Sequence, residues 1–202
     1  MAPRLRLALV VTGMLALAAI ASVFAFAVGD HAANAAGFEG AVRPPGIPPA
    51  QIDLPDEHGK LVRMSDLRGT PVVVTFLYTT CKDTCPLTAD QIRGALDDLG
   101  HDVPVIAVSV DPDNDTPARA RRFSFQHGMS GRMRWVLGDR GRLERLWRAY
   151  GIQPQSGGQD HTASTVLLDG QGRQRVGYST ESFLTPDVLA HDIKLLERES
   201  KR

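Results

Sequence analysis

Cys81-Lys82-Asp83-Thr84-Cys85-Pro86 decides the reading of this chain, together with the apolar run before it, Val72-Val73-Val74-Thr75-Phe76-Leu77. The run is rich in β-branched residues and reads as a buried strand. From Pro86 to Leu99, the residues Leu87, Ile92, Ala95, Leu96 and Leu99 recur at helical spacing and read as an amphipathic helix. Pro86 suits the first helical turn, where a missing N–H removes no bond. Both cysteines therefore fall where a strand turns into a helix. The partial positive charge of a helix N-terminus favours thiolate over thiol. Two such sulfurs four positions apart can exchange disulfides, hold a soft metal, or simply lock the turn. The last reading is the weakest. Cα atoms one helical turn apart, about 6 Å, can be bridged, but so small a loop stabilises a fold by only about 2 kcal/mol.

Outward from this stretch the pattern alternates. Val103–Val110 reads as a second buried strand, followed by a loop, Asp111-Pro112-Asp113-Asn114-Asp115. Thr116 caps a helix with Pro117 at its first position and Phe123 and Phe125 along it. Trp135-Val136-Leu137 is a short strand. Asp139 caps a helix with an apolar stripe of Leu143, Leu146, Trp147 and Tyr150, and Gly151 ends it. After a polar loop, Gln153 to Asp160, His161 starts a strand over 162–168. Asp169-Gly170-Gln171-Gly172 turns it back into Arg173–Tyr178. Thr185-Pro186 caps a terminal helix that buries Val188, Leu189, Ile193, Leu195 and Leu196. Upstream, Gln51 to Met64 alternates as a small hairpin. Gly94, inside the first helix, disfavours it by roughly 1 kcal/mol relative to Ala, so close packing is expected there. Crossover helices between apolar strands, with an antiparallel hairpin near the end, imply an α/β fold of the thioredoxin-like sandwich class with an N-terminal hairpin.

Charge is balanced, with 23 basic and 23 acidic residues in 202, so no basic excess points to nucleic acid. Two cysteines are too few for a disulfide scaffold. Arg4 and Arg6 precede an uncharged run, 7–28, that spans on the order of 33 Å as a helix, against roughly 30 Å of bilayer core. It reads as a single transmembrane helix, with Ala33-Asn34-Ala35 as a cleavage site under the alternative of a removed signal. Either way the arginines keep the N-terminus in the cytoplasm and send the rest across. The expected division is a membrane anchor or signal segment at 1–29, a Pro- and Ala-rich tether at 30–50, and one folded domain at 51–202.

His161 is the second candidate. It lies where a loop enters the strand that, in such a sheet, begins beside the cysteines. His31, His58, His101, His127 and His191 read as ordinary solvated or satisfied histidines. One imidazole and two thiolates make a soft, three-coordinate set. Sulfur suits Cu(I), and the imidazole lets the set tolerate Cu(II). Structural zinc would want a fourth ligand. Asp111 and Asp160 are candidates to orient His161 from behind, weighed against their ordinary use in turns and caps.

Three segments in order resemble the Sco/SenC family: Tyr78-Thr79-Thr80-Cys81-Lys82-Asp83-Thr84-Cys85-Pro86, then Ser109-Val110-Asp111-Pro112 with Asp115-Thr116-Pro117, then Asp160-His161-Thr162-Ala163. The resemblance covers nearly all of the chain after the tether. It implies a thioredoxin-like fold and a membrane anchor in the cell inner membrane, with a copper-binding domain on the extracytoplasmic side. One copper ion per chain, Cu(I) or Cu(II), would be held by Cys81, Cys85 and His161. The partner it implies is the copper-bearing subunit of cytochrome c oxidase, with a second periplasmic copper carrier or a thiol reductant beside it. Two roles follow. One is a metallochaperone for the binuclear copper centre. The other is a thiol–disulfide oxidoreductase, with Cys81 and Cys85 as its redox pair, that keeps the target's cysteines reduced. A peroxiredoxin-type enzyme fits less well, because Thr84 and Cys85 have the wrong spacing. Lys82 stands where relatives commonly carry proline, and it adds positive potential beside the sulfurs.

Overall fold

The structure is a computed structural model that describes residues 14, 15, 17, 18, 37–152, 164–179 and 184–201. It divides into two units, 1–37 and 38–202. In the first, Met14, Leu15, Leu17 and Ala18 are helical and exposed. Among the described residues no helix is long and apolar enough to cross a membrane. The rest of the expected span at 7–28 lies outside them.

The second unit is built on a six-stranded sheet. Its strands are β1 (Ala41–Val42), β4 (Val72–Leu77), β5 (Val105–Ser109), β6 (Met133–Val136), β7 (Ser164–Leu168) and β8 (Gln174–Ser179), in the order β1-β8-β7-β4-β5-β6. β4, β5 and β6 run parallel, as their connections through helices require. β7 and β8 return antiparallel. Every residue of β4 and β5 is buried. Side chains alternate between faces along a strand, so both faces of the sheet centre are covered. The helices are α1 (Thr84–Leu99), α2 (Pro117–Gln126), α3 (Arg140–Tyr150) and α4 (Pro186–Ser200). α1 packs along α4. At Gly94 a Cβ would sit 2.9 Å from Pro186 Cγ, which is the close packing expected there. The mixed sheet with its flanking helices is the expected thioredoxin-like arrangement.

The N-terminal hairpin pairs β2 (Asp53–Pro55) with β3 (Leu61–Arg63) and guards the sheet edge at β6. Glu57 is buried and its carboxylate accepts the Trp135 N–H at 2.6 Å, while Leu137 donates to the Pro55 carbonyl at 3.0 Å. These bonds occupy donors that an open edge would offer to another chain. At the other edge, β1 lies inside the stretch read as a tether and pairs with β8. Two residues carry no periodicity, so the sequence pattern could not reveal it. Just before β1, Asp192 of α4 accepts the Glu39 N–H at 2.9 Å, the Gly40 N–H at 3.0 Å and the Tyr178 hydroxyl at 2.8 Å.

Two apolar residues depart from expectation. Leu87 is 46% exposed and Phe125 is 77% exposed. The buried stripe of α1 runs through Cys85, Thr88, Ala89, Ile92, Ala95 and Leu96, and Leu87 falls beside it. In α2 the stripe is Ala120, Phe123 and Ser124, so Phe125 faces away. Thr116 and Asp139 cap α2 and α3 as expected, accepting from Arg119 N and Arg142 N. Thr185 instead turns its hydroxyl to Asp187.

Candidate functional site

β4 ends at Leu77 and α1 begins at Thr84, so the six intervening residues carry Cys81 out of the sheet and back into a helix. Asp83 is the N-cap of α1 but makes no side-chain capping bond. The acceptor that helix start needs comes from sulfur: Cys81 Sγ takes the Cys85 N–H at 3.2 Å. Cys85 is the second helical residue, and its N–H is one of those that capping oxygens ordinarily satisfy. Thr84 Oγ1 lies 3.5 Å from the same sulfur. Pro86, the third residue of α1, brings no N–H to this crowded turn.

The two cysteines are not bonded to each other, and their surroundings differ. Cys81 is half-buried and Cys85 is fully buried. The Cys85 thiol donates to Cys81, which lowers the Cys81 pKa to about 4 against partial burial. Thr84 and the N–H groups of the first helical turn add to the lowering. Cys85 moves the opposite way. Its proton is held by the Cys81 sulfur and its charged form is penalised by burial, while a backbone hydrogen bond from Tyr78 opposes both. The pair at neutral pH is thus one thiolate, Cys81, and one thiol, Cys85, as the helix start favours.

Behind the loop stands a buried carboxylate. Asp115, 7% exposed, accepts both the N–H and the hydroxyl of Thr79 on Oδ1, each at 2.7 Å, and the Ser109 hydroxyl on Oδ2 at 2.5 Å. Burial raises its pKa and those three bonds hold it down. Ser109 is the last residue of β5, and its carbonyl accepts the buried Trp147 indole N–H at 2.9 Å. The sequence singles out Asp111, as a candidate to orient His161, and assigns no role to Asp115. Asp111 is a turn residue: it accepts from the Asn114 amide at 2.9 Å, and its backbone carbonyl closes the 111–115 turn. The available signal was position, since an aspartate just ahead of the Thr116 cap lies level with the end of β4.

His161 and Asp160 lie outside the described residues. Among the described residues no three His, Cys, Asp or Glu side chains are grouped to hold a metal ion. The cysteine pair alone offers two soft donors of the type that suits Cu(I). A cleft of about 830 Å³ lies elsewhere, lined by Arg43, Ile47, Pro48, Arg173, Arg175 and Glu199 among others. It adjoins the start of β8, level with the start of β4, whereas the cysteines follow the end of β4. Its lining holds no cysteine or histidine.

Comparison with known proteins bears on this geometry. The SCO1/SenC family model matches residues 49–197. Protein SenC of Rhodobacter capsulatus is 32% identical over 160 residues, covering 71% of this chain and 70% of that protein. The structure of Bradyrhizobium japonicum ScoI with copper bound aligns with a TM-score of 0.58 at 28% identity, over 73% of this chain and 98% of ScoI. The solution structure of apo Sco1 from Thermus thermophilus aligns at 0.63 and 27%, over 79% of this chain and 96% of that one.

Proposed function

The chain belongs to the SCO1/SenC family, and from that premise we propose that it carries copper as cargo for the binuclear centre of cytochrome c oxidase. Cys81 and Cys85 hold the ion and His161 completes the set, one copper per chain. The observation that carries this reading is the thiolate–thiol pair at the start of α1. A metal-bound cysteine is a thiolate. The Cys81 pKa is lowered by the Cys85 thiol, which favours that form at Cys81, while the Cys85 proton has to leave on loading. Cys81 stands on a loop at the end of the sheet, which suits transfer between proteins. ScoI of Bradyrhizobium japonicum, which shares the fold, binds copper. The test is an absorption and EPR titration of the reduced domain with Cu(I) and Cu(II), wild type beside His161→Ala and Cys81→Ala. One equivalent bound, with a sulfur-to-Cu(II) charge-transfer band lost in both variants, supports the reading. Affinity unchanged by both substitutions ends it.

The same pair favours a second role, reduction of the target's own cysteines. The half-exposed Cys81 thiolate attacks a target disulfide, forms a mixed disulfide and expels one target thiolate. Cys85 then gives up its proton, attacks the Cys81 sulfur and releases the second target thiol. The target gains two electrons and the chain is left with a Cys81–Cys85 disulfide, which an external thiol reductant must reopen. Turnover of a disulfide-linked target peptide at a rate indifferent to His161→Ala would favour this role over copper carriage.

For location, the uncharged run 7–28 behind Arg4 and Arg6 supports a single-pass anchor in the inner membrane, with the domain on the extracytoplasmic side. Release of the chain by alkaline carbonate washing would overturn it.

A further inference from the structure

We propose that Asp115 is a positioning residue for the cysteine pair: its carboxylate fixes the loop that holds the Cys81 sulfur against the start of α1. The inference rests on the reading of the cysteines as the working site but needs no copper. The geometry is a short chain of contacts. Asp115 grips Thr79 twice, through its backbone N–H and its hydroxyl. The neighbouring residue, Tyr78, touches both cysteines: its carbonyl accepts the Cys81 N–H at 3.3 Å, and its backbone bonds the Cys85 sulfur. The other oxygen of Asp115 is tied to Ser109, at the end of the neighbouring strand. So the loop leaving β4 is fastened to β5 and to the start of α2 through one side chain. That side chain is buried and has three partners at 2.5–2.7 Å.

A buried carboxylate needs such partners, so on stability alone Asp115 could be ordinary scaffolding. What sets it apart is where it is attached. The Cys81 sulfur accepts the Cys85 N–H at 3.2 Å, and such bonds weaken steeply with distance and angle. A loop free to drift at Thr79 loses that alignment. The reduced form, in which the free sulfur is held by these contacts, is then disfavoured relative to the disulfide.

The experiment is the equilibrium of the chain with glutathione. Oxidised glutathione takes two electrons and two protons from Cys81 and Cys85, giving two reduced glutathiones and the Cys81–Cys85 disulfide. Asp115→Ala is expected to shift this equilibrium toward the disulfide about tenfold, or roughly 30 mV. Asp115→Asn can accept from Thr79 through Oδ1 and donate to the Ser109 hydroxyl, and is expected to stay within about twofold of wild type. Thr79→Val removes only the hydroxyl bond and is expected to shift it about threefold. It keeps the test alive should Asp115→Ala not fold. The control is Asp192→Ala, which removes a buried carboxylate with three partners far from the cysteines along the chain. Three outcomes overturn the proposal: neither Asp115→Ala nor Thr79→Val shifts the equilibrium, Asp115→Asn shifts it as far as Asp115→Ala, or Asp192→Ala shifts it as far as either. Copper titration of the wild type fails or succeeds independently of all three.

Discussion

Two buried aspartates use one device for different ends. Asp192 gathers Glu39 N–H, Gly40 N–H and the Tyr178 hydroxyl. Asp115 gathers Thr79 N–H, the Thr79 hydroxyl and the Ser109 hydroxyl. Each binds segments that are separate in sequence, and each is satisfied by three short bonds. Asp192 fastens the segment that leads into β1 onto α4 and β8, remote from the cysteines in the sequence. Asp115 fastens the loop that carries a thiolate. Both are buried and both accept three bonds, so neither burial nor bond count tells scaffolding from function. What each carboxylate is attached to can.

The largest effect should come from the scaffolding member. Asp192→Ala leaves two backbone N–H groups and the buried Tyr178 hydroxyl without their acceptor, and should cost about 3–4 kcal/mol of unfolding free energy. Urea denaturation measures this directly. The glutathione equilibrium of the same variant should match wild type. A normal unfolding midpoint would break the comparison at its stability end. Gly40→Ala probes the same place by packing instead of bonding. A Cβ there would collide with the Tyr178 ring and sit 2.5 Å from Val176 Cγ1. A loss of about 2 kcal/mol is expected, again without change at the cysteines.

At the cysteine end, Cys85→Ala removes the donor that does most to lower the Cys81 pKa. The rate of Cys81 alkylation by iodoacetamide, followed from pH 4 to 9, should keep its plateau and move its midpoint upward by at least one pH unit, a tenfold change in thiolate fraction on the acid limb. An unmoved midpoint would mean that the helix start alone makes the thiolate, and that the buried partner contributes nothing.

How much of this was legible in the sequence depends on the length of the signal. The runs 72–77 and 103–110 gave β4 and β5 because β-branched residues repeat over five or six positions. The caps at Thr116 and Asp139 and the tight packing at Gly94 were legible because each has one local cause. β1 was hidden by its two-residue length. Asp192 left a trace: it stands on the apolar stripe of α4 between Leu189 and Ile193, where a carboxylate must find partners. Asp115 left less, since its partners Thr79 and Ser109 are joined to it only by the pairing of β4 with β5. The cysteine pair was legible from position at a strand–helix junction. The division into one thiolate and one thiol was not, because it depends on which sulfur lies under the helix. His161 and Asp160, also singled out in the sequence, fall outside the described residues.

The last effect is the one with a definite sign. Cys81 has a folded pKa of about 4, against an ordinary thiol value of 9.0. A depressed pKa means the folded chain binds fewer protons than the unfolded chain across that window, so its contribution to stability rises with pH. It is fully present above 9 and is lost as pH falls toward 4. Asp115 has the opposite sign. Its carboxyl is pushed above the ordinary 3.8, so its ionisation weighs against the fold as pH rises through the shifted value. The reduced chain, kept so with a phosphine, should therefore gain stability over Cys81→Ser as pH climbs from 4 to 9. Across the acid end of that range, it should lose stability relative to Asp115→Asn. Urea midpoints at five or six pH values measure both differences. Two residues that meet at one loop would then show opposite slopes: the sulfur stabilises the fold by being charged, and the carboxylate keeps the loop in place despite being charged. A flat difference curve for Cys81→Ser would remove the thiolate from the resting state, and with it the reason that loading copper needs to displace only one proton.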